Sequence, residues 1–230
     1  MNGRVLITGA AGALGQSVVR RFVAAGERVL AVGDRRGGLA ELAAGAPEGV
    51  VTVHRADLTV TAEVDRLFAA AEQDGLSAVV HTVGGFRWGR IADFSDDDWS
   101  FLLKVNLDAT FRVFRATARA FTKAKGGALV AVAAPAGLLG EAGVGAYAAT
   151  KAGVLRLVES LARELAPAGA RANSVLPGTM DTAANRAAMP DADPGKWVTT
   201  DAVADVIHFL TTPAAAGVNG AAVRVPGPTL

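Results

Sequence analysis

Tyr147 and Lys151 lie four positions apart in a segment of helical period, so their side chains share one face of the predicted helix. An ammonium group beside a phenol favours the phenolate and lowers the pKa of the tyrosine. A tyrosine tuned in this way exchanges protons near neutral pH. The alternative is an incidental surface pair, although Tyr147 is the only tyrosine in the chain. The pair therefore predicts proton transfer only if the fold places both side chains in a site.

Short apolar runs rich in β-branched residues alternate with longer segments of helical period along the chain. This alternation is typical of βαβ units and a parallel sheet, and strands that stay apolar at successive positions are covered by helices on both faces. We therefore expect an α/β fold with a doubly wound parallel seven-stranded sheet (Rossmann fold) in a three-layer sandwich. The predicted strands are 4–8, 28–32, 50–55, 78–83, 128–133, 171–175 and 221–225, and the predicted helices are 15–25, 38–45, 61–74, 96–123 and 147–165.

Length and composition narrow the class of protein. The chain has 230 residues, 51% of them hydrophobic, which predicts one domain over residues 1–230. The net charge of +1, without a basic cluster, argues against nucleic acid and membrane partners. The absence of cysteine and the three scattered histidines argue against disulfides and a metal site. No signal peptide and no apolar stretch of roughly 18 residues is recognisable, so we expect a cytoplasmic protein.

A glycine-rich turn follows the first predicted strand and opens the first predicted helix. Gly9, Gly12 and Gly15, with Leu14 between them, are spaced as in turns that let the backbone approach a pyrophosphate at a helix N-terminus. The alternative is a tight strand-to-helix turn without a ligand, because a bare three-glycine pattern is a weak signal. The position of the turn at the first β–α junction favours dinucleotide binding.

Further candidate cofactor residues follow other predicted strands. Asp34 lies about twenty residues beyond the last glycine, where a carboxylate accepts hydrogen bonds from both ribose hydroxyls of NADH. Arg35 is suited instead to the 2′-phosphate of NADPH, and a solvated charged turn is a third interpretation. Asp57 and Leu58 follow the third strand, and Gly84 follows the fourth. The Asp57 carboxylate could accept a hydrogen bond from the adenine amine, or it could cap the next helix. We expect NAD(P)H as cofactor, with NADH favoured over NADPH.

These motifs occur in one order along nearly the whole chain, and together they resemble the short-chain dehydrogenase/reductase family. The matching residues are Thr8 with the glycine turn, Asp57-Leu58, Asn106, Tyr147-Ala-Ala-Thr-Lys151, Pro177-Gly178 and Thr182. The resemblance implies a nicotinamide-dependent oxidoreductase acting on a small molecule. It also implies that Tyr147 is the general acid/base and that Lys151 binds the nicotinamide ribose and tunes Tyr147.

The same resemblance assigns roles to four more residues. Asn106 would hold a proton-relay water, and Thr182 would lie near the carboxamide of the nicotinamide. Pro177 and Gly178 would shape the nicotinamide pocket. Taken singly, Asn106 is as well explained by a helix-interior or capping asparagine, and Pro177-Gly178 by a plain turn.

Two predicted helices carry apolar residues over more than one narrow stripe, which predicts burial on two sides. The family resemblance implies homodimers or homotetramers formed by paired helices. A helix sandwiched within a single subunit is the alternative. The residues concerned are Val154, Leu155, Leu157, Val158, Leu161 and Leu165 in one helix, and Phe111, Val113, Phe114 and Phe121 in the other.

Ala134 departs from the family pattern. The family usually carries a serine thirteen residues before the tyrosine, and its hydroxyl helps to polarise a carbonyl. Here that position is Ala134, between Ala133 and Pro135. Losing one donor to a developing oxyanion costs about a hundredfold or more in rate. We therefore expect a substrate that does not need this donor.

Residues 178–197 are rich in Ala, Pro, Asp and Asn and are expected to form a substrate lid. The segment resembles one subgroup of the family, the dihydropteridine reductases, which also carry alanine at the serine position. A quinonoid dihydropterin is a conjugated imine that accepts hydride readily, so Tyr147 would suffice as proton donor. The candidate substrate residues are Phe86, Trp88, Ala134, Met189 and Trp197, although such aromatics are more often packing residues.

Two other functions compete with reduction of a planar imine. One is a carbonyl or alcohol oxidoreductase of unknown substrate, which would use the same residues. The other is a non-catalytic NAD(P)-binding sensor, which would be expected to have lost the catalytic pair. Tyr147, Lys151 and Asn106 are all present, so catalysis is favoured.

Overall fold

The computed structural model describes residues 3–33 and 38–228 of the chain. Strands and α-helices alternate along most of its length, as the sequence predicts. The elements, in chain order, are β1 (Arg4–Thr8), α1 (Ala13–Ala24), β2 (Arg28–Gly33), α2 (Leu39–Ala44), β3 (Val51–Arg55), α3 (Thr61–Gln73), β4 (Leu76–His81), α4 (Asp96–Leu102), α5 (Ala109–Ala124), β5 (Gly127–Val132), α6 (Gly145–Leu165), β6 (Ala170–Pro177), β7 (Met180–Asp181), α7 (Ala183–Ala188), β8 (Val198–Thr199), α8 (Thr200–Thr211) and β9 (Ala222–Val225).

Seven strands form one parallel sheet in the order β3-β2-β1-β4-β5-β6-β9. This confirms the predicted seven-stranded, doubly wound sheet. The direction of strand addition reverses between β1 and β4, which leaves a crevice beyond their carboxyl ends. Ligands of open α/β sheets bind in such a crevice, so the topology alone locates the candidate site.

Helices cover both faces of the sheet. Successive residues of a strand point to opposite faces, so strands that are apolar at every position need cover on both sides. Leu6 belongs to the core on the α3, α5 and α6 side, whereas Val5 and Ile7 belong to the core on the α1 and α8 side. All three side chains are fully buried. The result is the three-layer sandwich that the unbroken apolar strands predict.

Three segments differ from the sequence-based assignment. The predicted helix 96–123 is interrupted by a π-helical turn at Leu103–Asp108. The segment 178–197 contains β7, α7 and a 3₁₀ turn, Pro194–Lys196, rather than an irregular loop. Residues 200–211, to which the sequence analysis assigns no element, form α8. A capping Thr199 and apolar residues at helical spacing, Val203, Ile207 and Leu210, are the sequence signals for this helix.

The apolar surface of α6 is largely explained by the fold of one chain. Its leucines and valines, apart from the half-buried Leu157, lie in the core that α6 shares with α5 and the sheet. On α5, Phe111 is half exposed and lies beneath the guanidinium of Arg115, 5.7 Å from the ring centroid. Among residues 3–33 and 38–228, no helix combines the length and apolarity of a membrane span.

Candidate active site

A cavity of about 450 Å³ opens where the carboxyl ends of β1 to β4 meet. The predicted cofactor residues Gly9, Gly12, Asp57, Leu58 and Gly84 line it together. The predicted Asp34 and Arg35 lie outside the described residues. The other lining residues are Ala11, Val32, Gly33, Ala56, Thr59, Thr82, Val83, Val105 and Ala109.

The glycine turn at the cavity needs glycine for two different reasons. Gly9 has φ +71°, in the left-handed region that side chains disfavour. A Cβ on Gly15 would lie 2.1 Å from the carbonyl oxygen of Gly9. Helix α1 begins at Ala13 after Gly12, and no side chain caps its N-terminus. The N–H groups of its first turn are thus available to an anion beside the cavity, whereas the side chain of Leu14 is buried in the core.

Gly15→Ala should destabilise the protein, because the added methyl overlaps the backbone of the glycine turn. We expect the free energy of unfolding to fall by about 1–3 kcal/mol, measured by urea denaturation. Gly126→Ala is the matched control, since a Cβ there meets nothing within 4 Å. Equal stabilities of the two variants would contradict the close approach of Gly15 to Gly9.

Asp57 and Leu58 form the turn between β3 and α3. The Asp57 carboxylate accepts hydrogen bonds from the backbone N–H of Thr59 at 2.8 Å and from its hydroxyl at 2.6 Å. The Asp57 N–H donates to Glu63 Oε2 at 2.7 Å. Leu58 is buried at the cavity wall. Asp57 is therefore held at the cavity by its own turn, whereas the predicted alternative of a helix cap is wrong, because α3 begins after Val60 without a side-chain cap.

Tyr147, Lys151 and Asn106 are brought together near Gly84. Tyr147 and Lys151 lie on α6, and the Lys151 ammonium is 5.8 Å from the phenol ring centroid. This ammonium donates a hydrogen bond to the carbonyl of Val132, at the end of β5, at 3.1 Å. A Cβ on Gly84 would lie 3.1 Å from both Lys151 Nζ and Asn106 Oδ1, so only glycine leaves this junction open.

The predicted lowering of the tyrosine pKa by Lys151 is wrong for this structure. Burial raises the pKa of Tyr147 to about 12, because the phenolate is removed from water. Burial also lowers the pKa of Lys151 to about 8, since the ammonium is removed from water. Tyr147 is consequently a protonated acid at neutral pH, and Lys151 titrates closer to neutrality than an exposed lysine.

Asn106 lies in the π-helical turn, a feature that often marks functional sites. Its Oδ1 accepts a hydrogen bond from the Gly85 N–H at 2.8 Å, and its Nδ2 donates to the Gly85 carbonyl at 3.0 Å. The same Nδ2 is 3.0 Å from Thr150 Oγ1, and the Thr150 hydroxyl donates to the Tyr147 carbonyl at 2.8 Å. The asparagine thus ties the loop after β4 to helix α6, which carries Tyr147 and Lys151.

Thr150 is not among the residues whose roles were predicted from the sequence. It is 1% exposed and joins the amide of Asn106 to the first turn of α6. A polar side chain next to Lys151, in a helix otherwise rich in apolar residues, is the signal that would have pointed to it. No local pattern shows that its partner is 44 positions earlier.

Ala134 lies two residues after the end of β5, at the start of a 3₁₀ turn, Pro135–Gly137, and is buried. This turn packs against α6, because a Cβ on Gly137 would lie 2.9 Å from the carbonyl carbon of Lys151. The side chain at 134 is a methyl group, so it provides no hydrogen bond to a reacting oxygen. Ala134, which replaces the serine of the family pattern, therefore lies at the edge of the sheet that carries the candidate active site.

Phe86 and Trp88 extend from the loop between β4 and α4. The Phe86 ring meets the Tyr147 ring edge-on, with centroids 5.0 Å apart, and remains 52% exposed. Trp88 is 68% exposed, and a Cβ on Gly143 would overlap its indole nitrogen. The loop is held by Arg87, which pairs with Asp98 at 3.0 Å and donates to the Phe86 carbonyl at 2.9 Å. The two exposed rings therefore stand on an anchored loop.

The predicted lid residues occupy different environments. Pro177 ends β6, and the Gly178 N–H donates a hydrogen bond to the Val225 carbonyl at 3.0 Å. A Cβ on Gly178 would lie 2.6 Å from the carbonyl oxygen of Pro226, so the position has room only for glycine. Thr182 caps α7 by accepting a hydrogen bond from the Asn185 N–H at 3.1 Å.

The apolar candidates in the lid differ in exposure. Met189 is 38% exposed, whereas Trp197 is buried. Trp197 lines a second cavity of about 680 Å³, between residues of the lid and residues 224–228. The structure therefore gives Trp197 a packing environment of its own, away from the cavity of the glycine turn.

Comparisons with known proteins agree over the length of the chain. A family model described as short chain dehydrogenase matches residues 3–193. An uncharacterised oxidoreductase of Staphylococcus aureus is 29% identical over 221 residues, which cover 95% of each chain. The 3-oxoacyl-(acyl-carrier-protein) reductase MabA of Mycobacterium bovis is 32% identical over 233 residues, covering 97% of this chain and 91% of MabA.

Solved structures show the same likeness. A short-chain type dehydrogenase/reductase from Mycobacterium ulcerans superposes with a TM-score of 0.92 at 28% identity, covering 99% of this chain and 89% of the other. An oxidoreductase of the short chain dehydrogenase/reductase family from Burkholderia thailandensis gives 0.89 at 34% identity, covering 100% and 93%. The fold, the sequence and the family model agree: the chain belongs to the short-chain dehydrogenase/reductase family of NAD(P)-dependent oxidoreductases.

Proposed function

We propose that this protein reduces a small, planar, electrophilic substrate with an activated C=N bond, such as a quinonoid dihydropterin, at the expense of NAD(P)H. The observation that carries the proposal is the methyl group of Ala134 at the position where the family usually has a serine hydroxyl. A ketone needs donors for its developing oxyanion, whereas a conjugated imine develops its charge over nitrogen and ring. One proton donor, Tyr147, then suffices.

The residues around the cavity fit a dinucleotide. Small residues line its wall beside an uncapped helix N-terminus, which suits a pyrophosphate. Gly84 leaves room next to the Lys151 ammonium, which would hold the nicotinamide ribose. Asp57 and Leu58 would contact the adenine, and Pro177, Gly178 and Thr182 the nicotinamide end. When bound, the cofactor supplies the hydride.

The protein's own residues supply the proton and its environment. Tyr147 is protonated at neutral pH and would donate its hydroxyl proton to the substrate nitrogen. Lys151 would stabilise the resulting phenolate by its charge. Asn106, fixed by Gly85 and Thr150, would hold the water that returns a proton to the site.

The exposed rings beside Tyr147 support a flat substrate. Phe86 is already in edge contact with the catalytic ring, and Trp88 stands two residues further along the same anchored loop. Aromatic faces bind flat heterocycles by stacking, and exposed rings lose water favourably when they do so. We propose residues 178–197 as the lid over this substrate, with Met189 as its apolar contact and Trp197 as the residue that holds the lid in place.

Three further features belong to the same proposal. NADH is favoured over NADPH on the grounds of Asp34. The protein acts as a homodimer or homotetramer, in keeping with the family, with the exposed Phe111 of α5 at the interface. It works in the cytoplasm as one domain spanning residues 1–230, without nucleic acid or membrane partners.

The proposal is tested by following NADH and NADPH oxidation at 340 nm with quinonoid dihydropterin generated enzymatically. Simple ketones are assayed in parallel. Faster turnover of the pterin, with NADH preferred, is the expected result. Tight binding of the cofactor without turnover of any acceptor would contradict the proposal. It would favour a non-catalytic NAD(P)-binding sensor instead.

A carbonyl reductase is the second candidate, and a specific similarity favours it. MabA, a 3-oxoacyl-(acyl-carrier-protein) reductase by its name, is 32% identical over 97% of this chain. If ketones or 3-oxoacyl thioesters are reduced and the pterin is not, the lid resemblance reflects ancestry, and another donor must replace the missing serine.

The pH dependence of kcat/KM for the cofactor should show one alkaline decline. This parameter reports ionisations of the enzyme before the cofactor binds. The pKa of Lys151 is lowered to about 8, so its positive charge is lost as pH rises through that value, while Tyr147 stays protonated to about 12. We expect kcat/KM to fall above pH 8. Lys151→Arg, which stays charged, should lack the decline even if it is slower. A flat wild-type profile to pH 10 would refute this assignment.

A further inference from the structure

His81 is a buried histidine that the proposed chemistry does not use. It ends β4, is 1% exposed, and meets the ring of Phe114 edge-on with centroids 6.0 Å apart. Its Nδ1 is 2.8 Å from Oγ1 of Thr8, and Thr8 is the residue that precedes the glycine turn. Its Nε2 is 3.0 Å from Thr110 Oγ1, on the first turn of α5. The ring therefore spans from the end of β1 to the helix that follows Asn106.

The hydrogen bonds around His81 determine which ring nitrogen carries the proton. The Thr110 hydroxyl donates to the backbone carbonyl of Asn106 at 2.6 Å. A hydroxyl has one proton to donate, so Nε2 of His81 must be the donor to Thr110 Oγ1. In a neutral ring the other nitrogen, Nδ1, is then an acceptor for the Thr8 hydroxyl. The alternative acceptor for that hydroxyl, the Val80 carbonyl, is farther away at 3.4 Å.

The surroundings of His81 keep the ring neutral. Burial, and to a lesser extent the charge of Lys151, lower the pKa of His81 to about 3. The imidazole can therefore donate at one nitrogen and accept at the other throughout the physiological range. A charged ring would donate at both nitrogens and would break the Thr8–His81 part of this arrangement.

We propose that His81 is a positioning residue that, with Nε2 protonated, joins Thr8 to Thr110 and thereby fixes the backbone carbonyl of Asn106. The chain of contacts continues from the Asn106 amide through Thr150 to the Tyr147 carbonyl. The glycine turn and the catalytic helix are thus connected through buried side chains. The catalytic part of this inference rests on the proposed function, whereas the hydrogen-bond arrangement does not.

Helix α5 provides a matched pair of threonines for the test. Thr110 and Thr117 are 1% and 0% exposed, and each donates its hydroxyl to the carbonyl four residues earlier. Only Thr110 also contacts an imidazole. Thr110→Val and Thr117→Val each remove one buried hydroxyl while preserving side-chain shape. A difference between them reports the Thr110 bridge from His81 to the Asn106 carbonyl as a unit, rather than the loss of a buried hydroxyl in general.

We expect Thr110→Val to lower kcat by tenfold or more, with KM for both substrates within twofold of wild type. Thr117→Val should keep kcat within twofold, and Thr110→Ser, which restores the hydroxyl, should recover at least half of the wild-type kcat. Equal effects of Thr110→Val and Thr117→Val on kcat would overturn the positioning role.

A second readout needs no turnover. ¹⁵N NMR of imidazole-labelled protein, with His81→Asn used for assignment, should show His81 as the Nε2–H tautomer in the wild type and in Thr117→Val. The side-chain amide resonance of Asn106 should shift in Thr110→Val and stay in place in Thr117→Val. An Nδ1–H tautomer, or an unmoved Asn106 amide in Thr110→Val, would overturn the bridge. If no acceptor is reduced by the wild type, the proposed function fails and this readout still decides the bridge.

Discussion

Tyr147→Phe should lower the rate of substrate reduction by about 10²–10⁴-fold, the usual contribution of a positioned general acid. The tyrosine hydroxyl is the proton donor of the proposed reaction, and its high pKa keeps it protonated at neutral pH. Phenylalanine preserves the edge-on contact with Phe86, whose centroid is 5.0 Å away, so the fold of the site should be unchanged. Steady-state and single-turnover oxidation of NADH at 340 nm measure the effect.

Two measurements separate this effect from loss of the site. NADH affinity, followed by the fluorescence of the bound cofactor, should remain within a few-fold of wild type. The urea midpoint should also be unchanged, because the Tyr147 hydroxyl makes no hydrogen bond within residues 3–33 and 38–228 that would be lost. Full activity in Tyr147→Phe would remove the proton-donor role and with it the proposed mechanism.

Ala134→Ser should raise the rate of carbonyl reduction by up to about a hundredfold. Loss of one oxyanion donor lowers the rate of such a reaction by about this factor, so adding the donor should restore it. Ala134 stands where the family usually has serine, in the turn that packs against Lys151. Turnover of an activated imine should change little, because its transition state places less charge on a single oxygen. The measurement is kcat/KM for a ketone and for quinonoid dihydropterin with each protein.

Ala136→Ser is the control for this gain. Position 136 lies in the same 3₁₀ turn and is half-buried, so it tests whether any added hydroxyl there has the same effect. Only Ala134→Ser should accelerate ketone reduction. If neither variant does so, the alanine at 134 is not what limits carbonyl reduction, and the argument for an imine substrate is lost.

The fold was predictable because its signals are local. Apolar runs and helical periods alternate along the chain, and the structure confirms seven parallel strands in the doubly wound order. Of the segments assigned differently, α8 carries a cap and a helical period that the sequence-based assignment overlooked, whereas residues 103–108 and 178–197 have weak or mixed local signals. The π-helical turn at Leu103–Asp108 differs from the flanking helices in hydrogen bonding rather than in residue pattern, so periodicity does not reveal it.

The sequence predicted several residues that the structure brings together, but not the contacts among them. The spacing of Tyr147 and Lys151 indicates a shared helix face, and the structure places both near Asn106 and Gly84. The pKa of Tyr147 could not be judged in this way. Proximity of a cation predicts a lower value, whereas burial of the phenol dominates and raises it to about 12. Burial depends on the packing of the whole site, which spacing does not describe.

The sequence by itself determined the fold class and the family, and it predicted candidate site residues, because strand and helix periods and short motifs are properties of neighbouring residues. Only the tertiary structure decided how these residues are connected. His81 and Thr110 are 29 positions apart, His81 and Thr8 are 73 apart, and Asn106 and Thr150 are 44 apart. Parallel strands pair only after long crossovers, so the side chains at their ends meet across distances in sequence at which no local pattern operates.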